Sequence, residues 1–181
     1  MKLERKAFVF IRHAECVHNA TGLIAGWTDS PLSSAGIREA KNLANQIDYP
    51  WSMVFTSTLQ RTVQTAEYAL PNRSFISLKD LSERNWGDLE ETAIPQSAKY
   101  EETPENGESW IDFQQRILLS TNHILNQYTF PLIIGHSGTY RTYYNSIFGT
   151  PYCKRVQNAK PIQFIPIAGS NEWEISPFEG F

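Results

Sequence analysis

The stretch Ala7-Phe8-Val9-Phe10-Ile11-Arg12-His13-Ala14-Glu15 decides how the chain is read. Its five apolar residues, bounded by Lys6 and Arg12, predict a short strand buried on both faces. Arg12, His13 and Glu15 follow at once. A buried strand that ends in charge delivers reactive side chains to the carboxyl edge of a sheet, and open α/β folds bind ligands at that edge. His13 is therefore a candidate nucleophile and Arg12 a candidate phosphate clamp. Taken alone, His13 reads equally well as a structural histidine.

The same arrangement recurs twice. Met53-Val54-Phe55 predicts a second strand ending at Thr56-Ser57, with Arg61 just inside a helix over about 59–69. Pro131 to Gly135 predicts another strand, and His136-Ser137-Gly138 opens the helix after it. Two more helices are expected. One runs over about 35–47, capped by Ser33 or Ser34; the other follows the cap Ser109, with Trp110, Phe113, Ile117, Leu118, Thr121, Ile124, Leu125 and Tyr128 as one apolar stripe. Phe75-Ile76 predicts a third, weaker strand, about 162–167 and about 173–175 predict two late strands separated by Gly169-Ser170-Asn171, and 15–31 reads as a loop. Strand-helix alternation of this kind argues for an α/β fold with a mostly parallel sheet. The three polar clusters then share one sheet edge. Two histidines and two arginines converging in a chain of net charge -3 describe a local anion pocket, with helix N-termini adding N–H donors. Phosphoryl transfer needs this inventory.

At 181 residues, one domain spanning 1–181 is the expectation, with 81–107 as an irregular, lid-like excursion over the strand ends. A pI of about 5.8 gives no electrostatic reason to expect nucleic acid or a membrane surface as partner. Cys16 and Cys153 have no paired spacing, which favours a reduced, cytoplasmic setting. The first six residues are too short and charged for a signal peptide, and no apolar run reaches transmembrane length. His13, Glu15 and His18 invite a metal reading, but their spacing is not His-Glu-x-x-His and a loop offers no i, i+4 face. No metal and no cofactor are expected. The sequence leaves the oligomeric state open.

Arg12-His13-Ala14-Glu15-Cys16-Val17-His18-Asn19 resembles the signature of the histidine phosphatase superfamily in its phosphoglycerate mutase-like branch, with Ala14 in place of the usual glycine. Five more motifs follow in the family's order. Gly26-Trp27-Thr28-Asp29-Ser30-Pro31-Leu32 is similar to its Gly-Trp-x-Asp-x-Pro-Leu stretch, and Ser57 to Ala66 to its Ser-x-Leu-x-Arg helix start. Leu81-Ser82-Glu83-Arg84-Asn85-Trp86-Gly87 resembles the stretch that holds its acid/base glutamate. Asn106-Gly107-Glu108-Ser109 and Gly135-His136-Ser137-Gly138 resemble its Gly-Gly-Glu-Ser element and its second-histidine motif.

The resemblance implies a three-layer α/β/α sandwich and a role for each residue. His13 would attack phosphorus and become phosphohistidine, which needs a neutral imidazole whose other N–H is held by a partner. Arg12, Arg61 and His136 would bind the phosphoryl oxygens; Asn19, Ser137 and Gly138 would complete the cradle. Glu83 would protonate the leaving alcohol and then deprotonate water. A proton donor at neutral pH needs a raised pKa, so partial burial beside Trp86 is expected. A solvated surface charge is the competing reading of Glu83. Glu15 reads as a supporting partner or a salt-bridge residue, His18 as a loop histidine, and Arg141 as structural.

A small phosphorylated substrate is implied, and hydrolysis is favoured over mutase chemistry. Residues 87–107 carry Lys99 as their only cation, which opposes binding a second phosphate. A phosphoglycerate mutase, a phosphoprotein phosphatase and a catalytically weak regulatory module remain the alternatives.

Overall fold

Strand β1 (Phe8–Arg12) is buried along its whole length and pairs on both sides. The computed structural model describes residues 1–95 and 99–180. On one side of β1, β4 (Leu132–Gly135) runs parallel, with Val9 opposite Leu132 and Arg12 opposite Gly135. Beyond it, β2 (Val54–Thr56) and β3 (Ile76–Ser77) continue the parallel half. On the other side β5 (Pro161–Pro166) and β6 (Trp173–Pro177) are antiparallel. The six-stranded order is β3-β2-β4-β1-β5-β6. The sheet is thus mostly parallel, and the late strands supply its antiparallel edge.

Alternation along β1 separates two cores. Val9 and Ile11, with Val54, Leu132 and Ile134, face Ala40 and Leu43 of α2 (Ser34–Leu43) and Ala66 and Ala69 of α3 (Gln60–Ala69). Phe8 and Phe10, with Phe55, Ile133 and Phe164, face Phe113 and Ile117 of α4 (Trp110–Gln127) and Tyr143 of α5 (Ser137–Phe148). Each fully buried Phe or Ile contributes about 2 kcal/mol relative to exposure. Helices on both faces of the sheet make the three layers.

Local sequence explains most boundaries. Ser33 caps α2, its Oγ accepting from the Gly36 N–H at 3.0 Å, and Ser109 caps α4 by accepting from the Asp112 N–H at 3.1 Å. The helix expected over 35–47 tightens to a 3₁₀ turn at Ala44–Gln46. Within the stretch read as loop, α1 (Val17–Thr21) forms one helical turn. It buries no residue, so it left no periodic signal. The segment expected to be lid-like is entered through a 3₁₀ turn at Lys79–Leu81 and contains another at Gly87–Leu89, and residues 96–98 lie outside the described residues. Among the described residues, no helix is long and apolar enough to cross a membrane.

Parallel pairing puts the carboxyl ends of β1, β2 and β4 on one edge. His13, Ser57 and His136 each stand one residue past the end of a strand there.

Candidate active site

His13 is held through its backbone and its ring. Its N–H donates to the Gly135 carbonyl at 2.9 Å, and its carbonyl accepts from Asn158 Nδ2 at 2.8 Å. Its ring Nδ1 lies 2.7 Å from the Ala14 carbonyl. A carbonyl only accepts, so Nδ1 carries the proton and Nε2 the lone pair. Burial, then the charges of Arg61 and Arg12, hold the ring well below the ordinary histidine pKa. The imidazole is neutral, as a nucleophile requires.

Arg12 and Arg61 are both buried. Arg12 donates to the Val156 carbonyl at 3.0 Å and to Asn19 Oδ1 at 3.3 Å, while its Nε has no partner among the described residues. Burial, then the charge of Arg155, lowers its pKa to about 10, so it stays cationic at neutral pH. Arg61 donates from its two terminal nitrogens to the carbonyls of Gly26, at 2.7 Å, and Thr28, at 3.2 Å. Asn19 Oδ1 accepts from Arg12 and from Asn158 Nδ2, at 3.1 Å, which turns its amide nitrogen away from that bond network.

His136 is fully buried, with its ring centroid 5.4 Å from that of His13. Its Nε2 lies 2.8 Å from Ser57 Oγ, and its Nδ1 has no partner among the described residues. Burial first, then Arg61, His13 and Arg12, hold its pKa well below the ordinary value.

Glu83 is half-buried on the cleft wall. Its carboxylate accepts from the N–H of Arg84 at 2.9 Å and from that of Gly138 at 3.0 Å. Gly138, expected to bind phosphate, instead gives its N–H to this carboxylate. A Cβ at 138 would run into Glu83 and the Phe113 ring, so only glycine admits the approach. Ser137, the first residue of α5, lines the same cleft, and so does Trp86. The indole bonded to the Glu83 backbone is that of Trp27, whose Nε1–H donates to the Glu83 carbonyl at 2.7 Å.

The remaining candidates have structural partners. Glu15 Oε1 accepts from Ser33 Oγ at 2.6 Å. Arg141 donates to the carbonyls of Pro151, at 2.8 Å, and Cys153, at 3.3 Å. His18 lies 3.7 Å from Glu91, and its ring is not gathered with His13 and Glu15 into a group that could hold a metal.

Arg12, His13, Asn19, Arg61, Glu83, Ser137 and Gly138 line a cleft of about 1030 Å³ that opens to solvent. Trp86, Tyr100, Tyr144 and Tyr152 form its aromatic wall. The cleft also gathers cations that the composition of 87–107 does not reveal. Arg141, Lys154 and Arg155 join Arg12, Arg61 and Lys99, against Glu83 and Glu102 as the lining carboxylates.

The chain matches the model of the histidine phosphatase superfamily (branch 1) over residues 8–160. The chain belongs to this superfamily. A phosphoglycerate mutase from Schizosaccharomyces pombe is 34% identical over 131 residues, which are 61% of this chain and 62% of that enzyme. A 2,3-bisphosphoglycerate-dependent phosphoglycerate mutase from Chlamydia muridarum is 42% identical over 67 residues, 36% of this chain and 30% of that enzyme. The chain therefore spans less than two thirds of the length of these curated relatives. Among solved structures, Bacillus stearothermophilus YhfR superposes with a TM-score of 0.83 at 22% identity, covering 97% of this chain and 98% of that one. The alpha-ribazole phosphatase from Shigella flexneri gives 0.78 at 23% identity, covering 96% of each chain. Both likenesses concern the fold.

In this histidine phosphatase superfamily member, sequence reasoning missed the hydrogen-bond partners that hold the functional groups: Asn158, Trp27 and Glu90. Asn158 sits beyond the last clear motif. Glu90 falls in an acidic stretch where charge reads as solvation. Trp27 stands inside a motif that does not show what its indole reaches. A tryptophan with an indole N–H to satisfy is the one available signal among the three.

Proposed function

We propose that this chain is a phosphomonoesterase working through a phosphohistidine on His13. The observation that carries the reading is the tautomer lock: Nδ1–H on the Ala14 carbonyl at 2.7 Å, which leaves a neutral Nε2 beside two buried arginines. A substrate phosphoryl group would sit against Arg12, Arg61, His136 and the Asn19 amide. His13 Nε2 attacks phosphorus as the bond to the leaving oxygen breaks. That oxygen takes the proton of Glu83 in its acid form. Glu83, now a carboxylate, removes a proton from water, and the hydroxide displaces His13 from phosphorus. Phosphate leaves, with Glu83 reprotonated and His13 neutral. Neither step requires a metal or cofactor. The solvent-open cleft supports water as the acceptor, and the aromatic wall supports a small organic leaving group. Unpaired Cys16 and Cys153 support a cytoplasmic setting.

A second reading, mutase chemistry, is favoured by the cations at the cleft. Six cationic side chains against two carboxylates leave a surplus larger than one phosphate dianion neutralises.

The test is a panel of phosphomonoesters with three proteins. Wild type should hydrolyse p-nitrophenyl phosphate without added divalent metal, and His13→Ala should lose at least about 10³-fold in kcat. Glu83→Gln should keep most p-nitrophenyl phosphate activity yet lose about 10²-fold on alkyl phosphates, whose leaving groups need a proton. Near-normal turnover by His13→Ala would remove the covalent route. Efficient interconversion of 2- and 3-phosphoglycerate would replace hydrolysis by the mutase reading.

A further inference from the structure

The carboxylate of Glu90 is the most heavily bonded acidic group near the cleft. Its Oε1 accepts from the Trp27 N–H at 2.7 Å and the Trp86 N–H at 3.1 Å. Its Oε2 accepts from the Thr28 N–H and the Thr28 hydroxyl, both at 2.7 Å. All four partners are donors, so an ionised acceptor with two oxygens satisfies them and an amide does not. Gly26 completes the arrangement. It has φ of +54°, and any Cβ there would collide with the Glu90 side chain.

What the clasp holds is informative. The loop it closes, 26–28, presents the Gly26 and Thr28 carbonyls to the terminal nitrogens of Arg61. The same loop presents the Trp27 indole to the Glu83 carbonyl. One carboxylate thus fixes one strap, and the strap grips a phosphate-binding candidate and the proton-transfer candidate.

We infer that Glu90 is a positioning residue for the phosphoryl site: it holds the 26–28 strap, and through it orients Arg61 and Glu83 without touching substrate. This rests on the proposed phosphatase reading. The alternative is that Glu90 only stabilises the fold. That alternative gives no reason for its loss to depend on Arg61. Replacing the carboxylate by an amide turns an NH₂ group toward at least one backbone N–H. The strap must then shift, and the two carbonyls leave the guanidinium.

A double-mutant cycle tests this. Glu90→Gln, Arg61→Ala and the double variant are compared by kcat and KM on p-nitrophenyl phosphate, by calorimetric titration with inorganic phosphate, and by thermal unfolding. Glu90→Gln should lower kcat/KM by about 30-fold and weaken phosphate binding by about tenfold. In the Arg61→Ala background its further effect should shrink to about threefold or less, because the guanidinium it orients is gone. Equal factors in both backgrounds, or unaltered phosphate affinity in a folded Glu90→Gln, overturn the inference. Thr28→Val, which removes one hydroxyl donor, is the milder variant should Glu90→Gln not fold. It should weaken phosphate binding in the same direction by about threefold, and no weakening also overturns the inference. Loss of the phosphatase reading itself would look different: wild type would hydrolyse no phosphomonoester, while the phosphate titration would still report the strap.

Discussion

Ala14 occupies a position where the resembling signature carries glycine, yet nothing in its surroundings asks for glycine. Its φ lies outside the left-handed region, and its methyl is fully buried in the core shared by β1, α2 and α3. Its N–H donates to Thr65 Oγ1 at 3.0 Å and its carbonyl accepts from His13 Nδ1. The group that serves His13 is a main-chain carbonyl, which any residue supplies. Ala14→Gly should therefore leave kcat within about twofold. It should lower stability by about 1–2 kcal/mol, from the lost methyl and the freer unfolded chain. Steady-state kinetics and urea unfolding check both halves. Ser57 is the opposite case. Its Oγ lies 2.8 Å from Thr62 Oγ1 and 2.8 Å from His136 Nε2, and it accepts from the Leu59 N–H at 3.2 Å. The hydroxyl thus ties the His136 ring to Thr62 of α3. Ser57→Ala should lower kcat by about tenfold; unaltered kinetics would show that the bond does not matter.

Helix α4 was legible from its stripe, and the structure buries seven of the eight residues named for it, with Tyr128 partly covered. Strand β1 was legible for the same reason: five apolar side chains with no polar face admit few other readings. The three strand-end clusters followed from connectivity, because parallel strands must end on one edge. What stayed illegible depends on contacts between distant segments. The short helix α1 exists because Val17 N–H reaches the Pro31 carbonyl, at 3.0 Å, and His18 N–H reaches Ser30 Oγ, at 3.2 Å; neither contact leaves a periodic trace. Lys154 and Arg155 were visible as charges, but only tertiary structure carries them to a cleft whose wall begins at residue 12. Arg116 belongs to this class too. It grips Glu108 through Nε at 2.9 Å and Nη2 at 2.7 Å, and donates to the carbonyls of Asp80, Ser82 and Glu83. So α4 anchors the start of the segment that carries Glu83. Both partners keep less than a fifth of their side-chain surface exposed, at 18% and 15%. Arg116→Met strands the carboxylate and frees three carbonyls. It should destabilise the protein by about 2 kcal/mol, below the range for fully buried pairs because solvent screens part of the charge. Arg116→Lys cannot reproduce the fork and should recover less than half. Urea unfolding measures both, and equal stability of Arg116→Met and wild type would discount the anchor.

Across the whole molecule, the site imposes a pH dependence on folding. His13 and His136 are buried, and both have folded-state pKa values well below the ordinary value of 6.5, chiefly from burial, with Arg61 the next cause for each. In the unfolded chain each returns to about 6.5. The folded protein therefore binds fewer protons than the unfolded one as pH falls below that value. Stability is whole above the unfolded pKa, falls as pH drops through it, and keeps falling until the folded-state values are reached. Between pH 6.5 and 5.5 each histidine should remove about 1 kcal/mol, so the pair removes about 2 kcal/mol. Carboxylates that titrate mainly below this window add little to that slope. A bound phosphate dianion reverses the sign of the local field made by Arg12, Arg61 and Arg155. Protonating His136, whose Nδ1 has no partner among the described residues, then becomes favourable rather than opposed. Saturating inorganic phosphate should stabilise the protein at all pH values and flatten the decline between pH 6.5 and 5.5. Urea unfolding at half-unit pH steps, with and without phosphate, reads both effects. His136→Gln should halve the phosphate-free slope. A slope unaltered by that substitution would place the proton uptake elsewhere in the unfolded chain.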